Sequence, residues 1–342
     1  MIHLRRKQSK FWPFLGLLIL CSIGLGVNGL SAQAGRAGSF LRMGMGARAK
    51  AMGGAYSAVA RGVESNFYNP AGLPRLEKKE ILLSYRFLSL DRQFSALGIA
   101  MPVRPKVSSS GKSAINGGIS LAWIRAGVDD IEGRTSDGVK FNNDLSNSEN
   151  AFIFSFGLLP VSNLSVGLTV KVLWNRFPDL GVENKTVSAK GVGFDFGLLY
   201  RFSEDVFFSA VVKEANNQYK WSTQDLYDLD GTDSIEPLPK VSRFGVFAKV
   251  PRLKKLWFSI DLEQIFRESF LKDRMDQRVH VGLESMLVEN IALRAGYDDG
   301  SITAGAGYRF PLFGKLGELN YAYVSPGENP DEEHVFSWFV NF

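Results

Sequence analysis

Residues 164–174 read LSVGLTVKVLW, and this stretch alternates large apolar side chains with small or polar ones. The large side chains are those of Val166, Leu168, Val170, Val172 and Trp174. The positions between them hold Ser165, Gly167, Thr169 and Lys171. Because successive side chains of a strand point to opposite faces, this period of two predicts a strand with one apolar and one polar face.

The same period recurs along the whole chain. Fourteen runs show it: 80–89, 93–102, 115–125, 150–159, 163–175, 190–202, 205–214, 241–250, 255–264, 277–287, 290–298, 301–310, 317–324 and 334–342. A tilted strand needs about 9–11 residues to cross the apolar part of a bilayer, whereas strands of soluble proteins are usually about 5–6 residues long. The runs therefore predict an all-β fold, a transmembrane antiparallel β-barrel of about 14 strands.

The first 34 residues have the pattern of a secretory signal peptide. A basic segment at 1–10 precedes an apolar run, and Ala32-Gln33-Ala34 supplies a cleavage site before Gly35. The alternative is an uncleaved membrane anchor, since about 20 apolar residues can span a bilayer. An exported chain leaves two architectures, a soluble periplasmic β-protein or an outer-membrane barrel, and the lengths of the runs favour the barrel.

Cleavage would change the charge and the cysteine content of the mature chain. It removes four positive charges from a net charge of +5 and leaves about +1. A nucleic-acid partner is therefore not expected. Cleavage also removes Cys21, the single cysteine, which excludes disulfides and thiolate chemistry.

The predicted connections differ in length between the two ends of the barrel. Connections after even-numbered runs are mostly short, such as PVSN at 160–163 and SED at 203–205. Long connections after odd-numbered runs are expected at 126–149, 176–189, 215–240, 265–276 and 325–333. Outer-membrane barrels place their short turns in the periplasm, so we expect both mature termini on the periplasmic side of the outer membrane of a Gram-negative-type bacterium.

The chain ends in HVFSWFVNF at 334–342, a terminal strand with an aromatic face and an aromatic last residue. Terminal strands of this kind are read by the outer-membrane barrel assembly machinery. We therefore expect this machinery and outer-membrane lipid as partners. The predicted assembly signal consists of Phe336, Trp338, Val340 and Phe342.

Inward positions of the predicted strands carry charges of both signs, which need partners when they are buried. The predicted lumen-facing charges are Arg201, Arg243, Asp261, Glu263, Arg278, Glu284 and Arg294. Fourteen strands enclose more space than their own side chains fill. The lumen is therefore either an open pore or the seat of a plug.

Residues 35–75 could supply that plug as an N-terminal helical hatch that enters the lumen from the periplasmic side. Their small side chains suit a short helix, which Gly53-Gly54 interrupts, and Asn69-Pro70 predicts a rigid reversal into the first strand. The alternative is a flexible N-terminal tail. The predicted hatch and turn residues are Arg48, Met52, Gly53, Gly54, Tyr56, Asn69, Pro70, Ala71 and Gly72. The expected domains are a signal peptide at 1–34, the hatch at 35–75 and the barrel at 76–342.

The stretch FLRMGMGARAKAMGGAYSAVARGVESNFYNPAGL at 40–73 resembles the amino-terminal signature of FadL-like outer-membrane barrels, in particular of the PorV/PorQ family. The matching positions are Gly46, Ala47, Arg48, Ala49, Met52, Gly53, Gly54, Ala55, Tyr56, Asn69, Pro70, Ala71, Gly72 and Leu73. This resemblance implies a hatch inside the barrel. The chain departs from the pattern at residues 60–64, where ARGVE replaces an acidic segment, so no role of those acids is carried over.

The resemblance implies two functions. Members of FadL type are hatch-plugged channels that pass hydrophobic compounds across the outer membrane and release them sideways through the wall. Members of PorV type resemble carrier or docking subunits for type IX protein secretion, whose partner is secreted cargo. Inward apolar side chains, such as Leu199, Phe207 and Trp257, suit the passage of hydrophobic small molecules, which is the function we expect. The alternative is that these side chains simply pack against the hatch.

Neither catalysis nor a metal site is expected. Only His280 and His334 remain after cleavage, and neither belongs to a nucleophile motif. The acidic stretch at 225–236 fails the spacing of a calcium loop, because Gly231 at loop position six leaves Leu226 at position one. We therefore expect no enzyme activity, no cofactor and no metal.

Overall fold

The computed structural model describes residues 38–342 except 106–114, 135–136, 141–144, 181–184, 224–230, 252, 254, 268–273 and 328–330. The predicted signal peptide and its cleavage site lie outside the described residues. Within the described ranges, no helix is both long and apolar enough to cross a membrane.

Between residue 38 and the first strand, the chain forms short helical pieces. Helix α1 spans Ala47–Ala51 and helix α2 spans Ser65–Tyr68. The 3-10 turns lie at Ser39–Arg42, Gly62–Glu64 and Pro70–Arg75. Helix α1 ends where the sequence predicts, because Gly53 and Gly54 take φ values of 62° and 73°, which favour glycine.

In the described part of the chain, sixteen strands follow the helical segment. They are β1 (Glu80–Phe87), β2 (Arg92–Val103), β3 (Asn116–Ile131), β4 (Leu145–Val161), β5 (Leu164–Leu180), β6 (Lys185–Arg201), β7 (Val206–Ala215), β8 (Gln218–Ser222), β9 (Asp233–Pro237), β10 (Lys240–Lys249), β11 (Leu256–Arg267), β12 (Arg274–Val288), β13 (Ile291–Asp298), β14 (Ser301–Leu312), β15 (Lys315–Val324) and β16 (Glu333–Asn341).

Fourteen of these strands close into an antiparallel barrel, and β8 and β9 form an added hairpin. Strand β7 pairs with β10 and bypasses the hairpin. The ring closes where β1 pairs with β16, from Glu80 opposite Asn341 to Phe87 opposite His334. The predicted fold class, a fourteen-strand transmembrane-type barrel, is confirmed.

Alternation in the 164–174 stretch gives the barrel an apolar outside and a polar inside. Val166, Leu168, Val172 and Trp174 are exposed, whereas Lys171 is buried. The other strands expose further Leu, Phe, Tyr and Trp side chains in the same way. A continuous exposed apolar surface of this size is the surface that a bilayer covers in barrels of this class.

The two ends of the barrel differ, as the sequence predicts, but the long connections are shorter than expected. We call the end with the β3–β4 and β8–β9 connections the loop end, and the end with the turns at 162–163 and 289–290 the turn end. Strand β3 continues to Ile131 and β4 begins at Leu145, so both ends of the predicted 126–149 loop are strand. Residues 146–150, SNSEN, place polar groups on both faces, which hides the period of two.

Two more predicted loops contain strand structure. Strands β5 and β6 occupy most of 176–189, and hairpin β8–β9 lies inside the predicted 215–240 loop. In the hairpin, Tyr219 is fully buried and Trp221 packs beside it with 5.9 Å between ring centroids. Strands of five residues are too short to show the alternation of apolar and polar side chains clearly, which is why the sequence predicts a loop here.

Candidate functional site: the hatch in the barrel lumen

Residues 38–75, the hatch, lie inside the barrel, and nearly all of them are buried. The described hatch begins at the loop end, where Gly38 packs against Leu238 beyond β9. Its last turn lies at the turn end beside Gly157 and Gly167, and the chain then continues into β1. The prediction that the hatch enters from the turn end is therefore wrong, because its first described residues occupy the opposite end of the lumen.

The turn Asn69-Pro70-Ala71 rests on a row of three glycines in neighbouring wall strands. Gly157 of β4 is paired with Gly167 of β5, which is paired with Gly197 of β6. A β-carbon on Gly167 would lie 2.3 Å from the carbonyl carbon of Pro70, and one on Gly197 would lie 2.1 Å from Asn69 Oδ1. Any side chain in the row would therefore collide with the turn.

The Asn69 side chain joins this turn to the rest of the hatch and to the wall. Its Oδ1 accepts the Ala71 N–H at 3.0 Å, which is the predicted local turn contact. Its Nδ2 donates to the Ser57 carbonyl at 2.9 Å and to the Leu198 carbonyl at 3.2 Å. An amide supplies the required acceptor and two donors, so neither aspartate nor alanine can replace it without leaving buried groups unpaired.

On the opposite side of the lumen, strands β10 to β15 hold the hatch through charged groups. Arg48 of α1 donates to both carboxylate oxygens of Glu284, at 2.8 Å each. Arg294 donates to the same carboxylate at 2.6 Å, so Glu284 lies between two guanidinium groups. A two-point arginine–carboxylate contact fixes orientation as well as charge.

A second charged contact lies next to the glycine break after α1. Lys50 Nζ donates to Asp298 at 2.6 Å, and His280 Nδ1 lies 2.9 Å from the other oxygen of the same carboxylate. His280 Nδ1 also lies 3.1 Å from the Gly53 carbonyl oxygen. Gly53 N–H donates to Thr303 at 3.0 Å. The predicted Gly53-Gly54 break is thus a docking point on the wall, and His280 packs against it.

The hatch backbone also binds two charged wall residues directly. The N–H groups of Tyr56 and Ser57 donate to one Asp261 oxygen at 3.1 and 2.9 Å. Arg243 donates to the Gly54 carbonyl at 3.1 Å and pairs with Glu263. The structure thus brings four of the predicted lumen-facing charges onto the hatch: Arg243, Asp261, Glu284 and, through Glu284, Arg294.

The remaining predicted charges and hatch residues lie as follows. Glu263 pairs with Arg243, which contacts the hatch, and Arg278 pairs with Asp299 at the loop end at 2.9 Å. Arg201 is exposed at the turn end, where it donates to the Ser162 carbonyl at 2.9 Å. Met52, Ala71 and Gly72 are buried in the hatch.

The four residues of the predicted assembly signal share the outward face of the last strand. Phe336, Trp338 and Phe342 are 42%, 40% and 38% exposed, and Val340 is partly exposed. Their inward neighbours include Ser337, which accepts the Ala47 N–H of the hatch at 2.7 Å. The outward aromatic face agrees with a position in lipid, and its role in assembly stays a prediction.

Glu64 is the buried acid of the hatch, in the segment where the chain departs from the family pattern. Its Oε2 accepts the Tyr56 hydroxyl at 2.6 Å, and its Oε1 has no hydrogen-bond partner among the described residues. Burial raises the pKa of Glu64 from its ordinary 4.5 to about 7, against the opposing effects of the Tyr56 hydrogen bond and the Arg48 charge. The nearby acids Glu80 and Glu318 raise it further.

This raised pKa predicts that the stability of the folded hatch depends on pH. The pKa of Glu64 is higher in the folded chain than in the unfolded chain. Its contribution to folding stability is therefore complete below pH 4.5 and is lost as pH rises through about 7. Limited proteolysis of the detergent-solubilised barrel should therefore cut the hatch faster at pH 8 than at pH 5.5. Glu64→Gln should remove most of that difference, and an unchanged pH dependence in the variant would contradict the assignment.

A small cavity lies between the hatch and the wall strands β7 and β10–β13. Its volume is about 20 Å³, which is room for about one water molecule. Its lining combines polar groups with the rings of Phe67 and Tyr68. A solute larger than water does not fit this cavity unless the hatch moves.

No family model matches the chain, and no curated protein is similar to it in sequence. Solved structures do share its fold. The toluene transporter TbuX of Ralstonia pickettii matches with a TM-score of 0.60 and 15% identity, over 87% of this chain and 98% of that one. The P. putida toluene transporter TodX has a TM-score of 0.58, 13% identity and coverages of 87% and 99%.

A Pseudomonas aeruginosa FadL homologue also matches, with a TM-score of 0.54 and 12% identity over 85% of this chain and 96% of that one. At such identities the likeness concerns the fold alone. The chain has the fold of FadL-type barrels, a closed fourteen-strand barrel that is preceded by short N-terminal helices.

Proposed function

We propose that this chain is an outer-membrane channel in which the hatch controls the passage of small hydrophobic compounds. The observation that carries the proposal is a cluster of buried apolar side chains on the lumen side of β1–β6, which we call the apolar half of the wall. Strands β10–β15 bind the hatch largely through charged groups. The apolar half also makes polar contacts with the hatch, since Arg86 donates to the Met43 and Gly44 carbonyls and Glu80 accepts the Val63 N–H. The buried apolar residues of this half are Leu82, Phe94, Ala96, Ala100, Ala122, Ile124, Ala151, Ile153, Leu173 and Ala189.

The outer surface of the apolar half carries a matching feature. A groove of about 580 Å³ runs along the outside of β1–β5. Its walls include Leu97, Leu121, Trp123, Phe152 and Phe154. Where the groove passes Gly98 and Ala122, these small inward residues form the wall between the groove and the hatch. An apolar molecule that left the lumen sideways would meet apolar contacts on both sides of this wall.

The structural relatives indicate the class of compound. Two of the matched structures are described as toluene transporters, and the apolar half of this lumen suits uncharged molecules of that kind. We therefore propose monoaromatic hydrocarbons or compounds of similar size as candidates, with toluene as the first probe.

The remaining features of the proposal concern the membrane and the assembly of the chain. The exposed apolar belt would lie in outer-membrane lipid, and residues 1–34 would be removed on export. The outward aromatic face of β16 would be read by the barrel assembly machinery. The turn end, which carries the C-terminus, would face the periplasm. The 40–73 signature would place the chain in the PorV/PorQ family.

One observation favours the second candidate, a carrier or docking subunit for type IX secretion. Hairpin β8–β9 projects at the loop end, and its Tyr219 hydroxyl is held by Glu149 at 3.1 Å. On its outer face, Ile235 is 61% exposed. Trp221 packs on the inner side of the hairpin and donates to Glu236 at 3.0 Å.

Uptake by whole cells tests the proposal. A Gram-negative host that expresses the chain should accumulate labelled toluene faster than the same host with an empty vector, while exclusion of a hydrophilic dye is unchanged. Deletion of residues 40–66 should admit the dye as well, because the lumen loses its plug. Toluene uptake equal to that of the empty vector would overturn the proposed channel function. If deletion of residues 40–66 in the native host then abolished cargo secretion, the result would support the docking function.

A further inference from the structure

Lys171, Asp195 and Glu214 form a buried cluster on the lumen side of β5, β6 and β7. Their side chains retain 2%, 2% and 3% of their accessible surface. Lys171 Nζ lies 2.8 Å from Asp195 Oδ2 and contacts Glu214 Oε1. A single amine thus meets two carboxyl groups where almost no water reaches, an arrangement that the hatch contacts do not use.

One glycine and one β-bulge in the wall strands allow these three side chains to meet. Lys171 is paired with Gly193, and the missing side chain there leaves room for Asn217, whose amide donates to Glu214. Glu214 has a φ of 59°, and the β6–β7 register is irregular beside it. The bulge turns Lys213 and Glu214 to the same side, so that Glu214 reaches the lumen instead of lipid.

We propose that Lys171 and Asp195 form an intramolecular isopeptide bond that covalently joins β5 to β6. The Glu214 N–H donates to Asp195 Oδ1 at 2.9 Å, which polarises the carboxyl group and stabilises the oxyanion that develops on attack. Asp195 Oδ2, the oxygen next to the amine, is the oxygen that leaves. Glu214 carries the protons, since its carboxylate contacts the same amine that lies against Asp195 Oδ2.

The step balances without any added reagent. One proton passes from the Lys171 ammonium through Glu214 to the Asp195 carboxylate, which leaves a neutral amine and a carboxylic acid. The amine nitrogen attacks Asp195 Cγ, the N–C bond forms, and the bond from Cγ to Oδ2 breaks. A second amine proton, relayed by Glu214, joins the departing hydroxyl, so one water leaves and Glu214 returns to its starting state.

The neighbouring charges suit the product. Lys213 is also buried, and its ammonium lies over the ring of Phe67 at 4.3 Å. Once the amide removes the charges of Lys171 and Asp195, Lys213 remains to balance the Glu214 carboxylate. Buried charges need such a counter-charge, and a covalent tie here would brace the wall beside the bulge.

Mass spectrometry of the folded wild-type protein tests the proposal. The detergent-extracted barrel should be lighter by one water than its mature sequence, and the same chain kept unfolded in urea should have the full mass. Protease digestion should release a branched peptide in which a β5 fragment and a β6 fragment are joined through Lys171 and Asp195. The full mass in the folded wild type would overturn the proposal.

Two variants and an internal control test the roles of Lys171 as the nucleophile and Glu214 as the proton relay. Lys171→Arg has no amine nucleophile and should keep the full mass, and Glu214→Gln should do the same because it cannot relay protons. Among the residues that the structure describes, the amine of the Lys50–Asp298 pair, at 2.6 Å, contacts no second carboxylate, so this pair should stay unlinked. A link that persists in Glu214→Gln, or one that maps to the Glu214 carboxyl, would refute the assigned mechanism.

Discussion

Replacing Gly167 with valine should release the hatch from its seat and convert a closed lumen into a conducting pore. A β-carbon at this position would lie 2.3 Å from the Pro70 carbonyl carbon and 2.4 Å from the Ala71 nitrogen. Both atoms belong to the backbone of a proline-stiffened turn, so they cannot rotate away as a side chain would. Overpacking costs about 1–3 kcal/mol at ordinary core sites, and a clash with fixed backbone belongs at the upper end.

The released hatch should be visible in two measurements. Single-channel recordings in planar bilayers should show long open periods for Gly167→Val and mostly closed wild-type barrels, and protease should cut the hatch of the variant first. Gly127→Val in β3 is the matched control, because a β-carbon there meets nothing nearer than 3.6 Å. Equal conductance of the two variants would show that the glycine row does not hold the turn.

The strands of this barrel could be predicted from sequence because lipid and lumen impose opposite demands on alternate residues. Val166, Leu168 and Trp174 had to be apolar to face lipid, and Lys171 could be charged only by facing inward. Strand segments that extend beyond the lipid at the loop end no longer need an apolar outward face. The extension of β4 through residues 146–150 has no apolar face, so its strand character could not be read from the sequence.

The hatch could be predicted only in part. Its small residues, the Gly53-Gly54 break and the Asn69-Pro70 turn are local features, and the sequence contains each of them. Its direction in the lumen and its partners depend on contacts between residues far apart in the chain, such as Arg48 with Glu284. The glycine row left a weak signal, three inward glycines in consecutive strands, whose meaning depends on a register that the sequence does not state.

A disulfide between the hatch and the wall should stop hydrophobic uptake. The hydroxyl oxygens of Ser57 in the hatch and Ser209 in β7 lie 2.7 Å apart, so Ser57→Cys with Ser209→Cys brings two thiols within bonding reach. The only native cysteine is Cys21, so no other thiol of the mature chain competes. If passage requires the hatch to move, oxidised cells should take up toluene no faster than empty-vector cells, and reductant should restore uptake to the wild-type rate.

A second pair separates locking of the hatch from stiffening of the wall. Ser155 in β4 and Thr169 in β5 have hydroxyl oxygens 2.7 Å apart, and the corresponding double cysteine variant ties two wall strands to each other and leaves the hatch unlinked. Uptake in this variant should be the same with and without reductant. Undiminished toluene uptake through the oxidised Ser57–Ser209 pair would mean that the compound passes a stationary hatch, and the route would then have to avoid the part of the lumen beside β7.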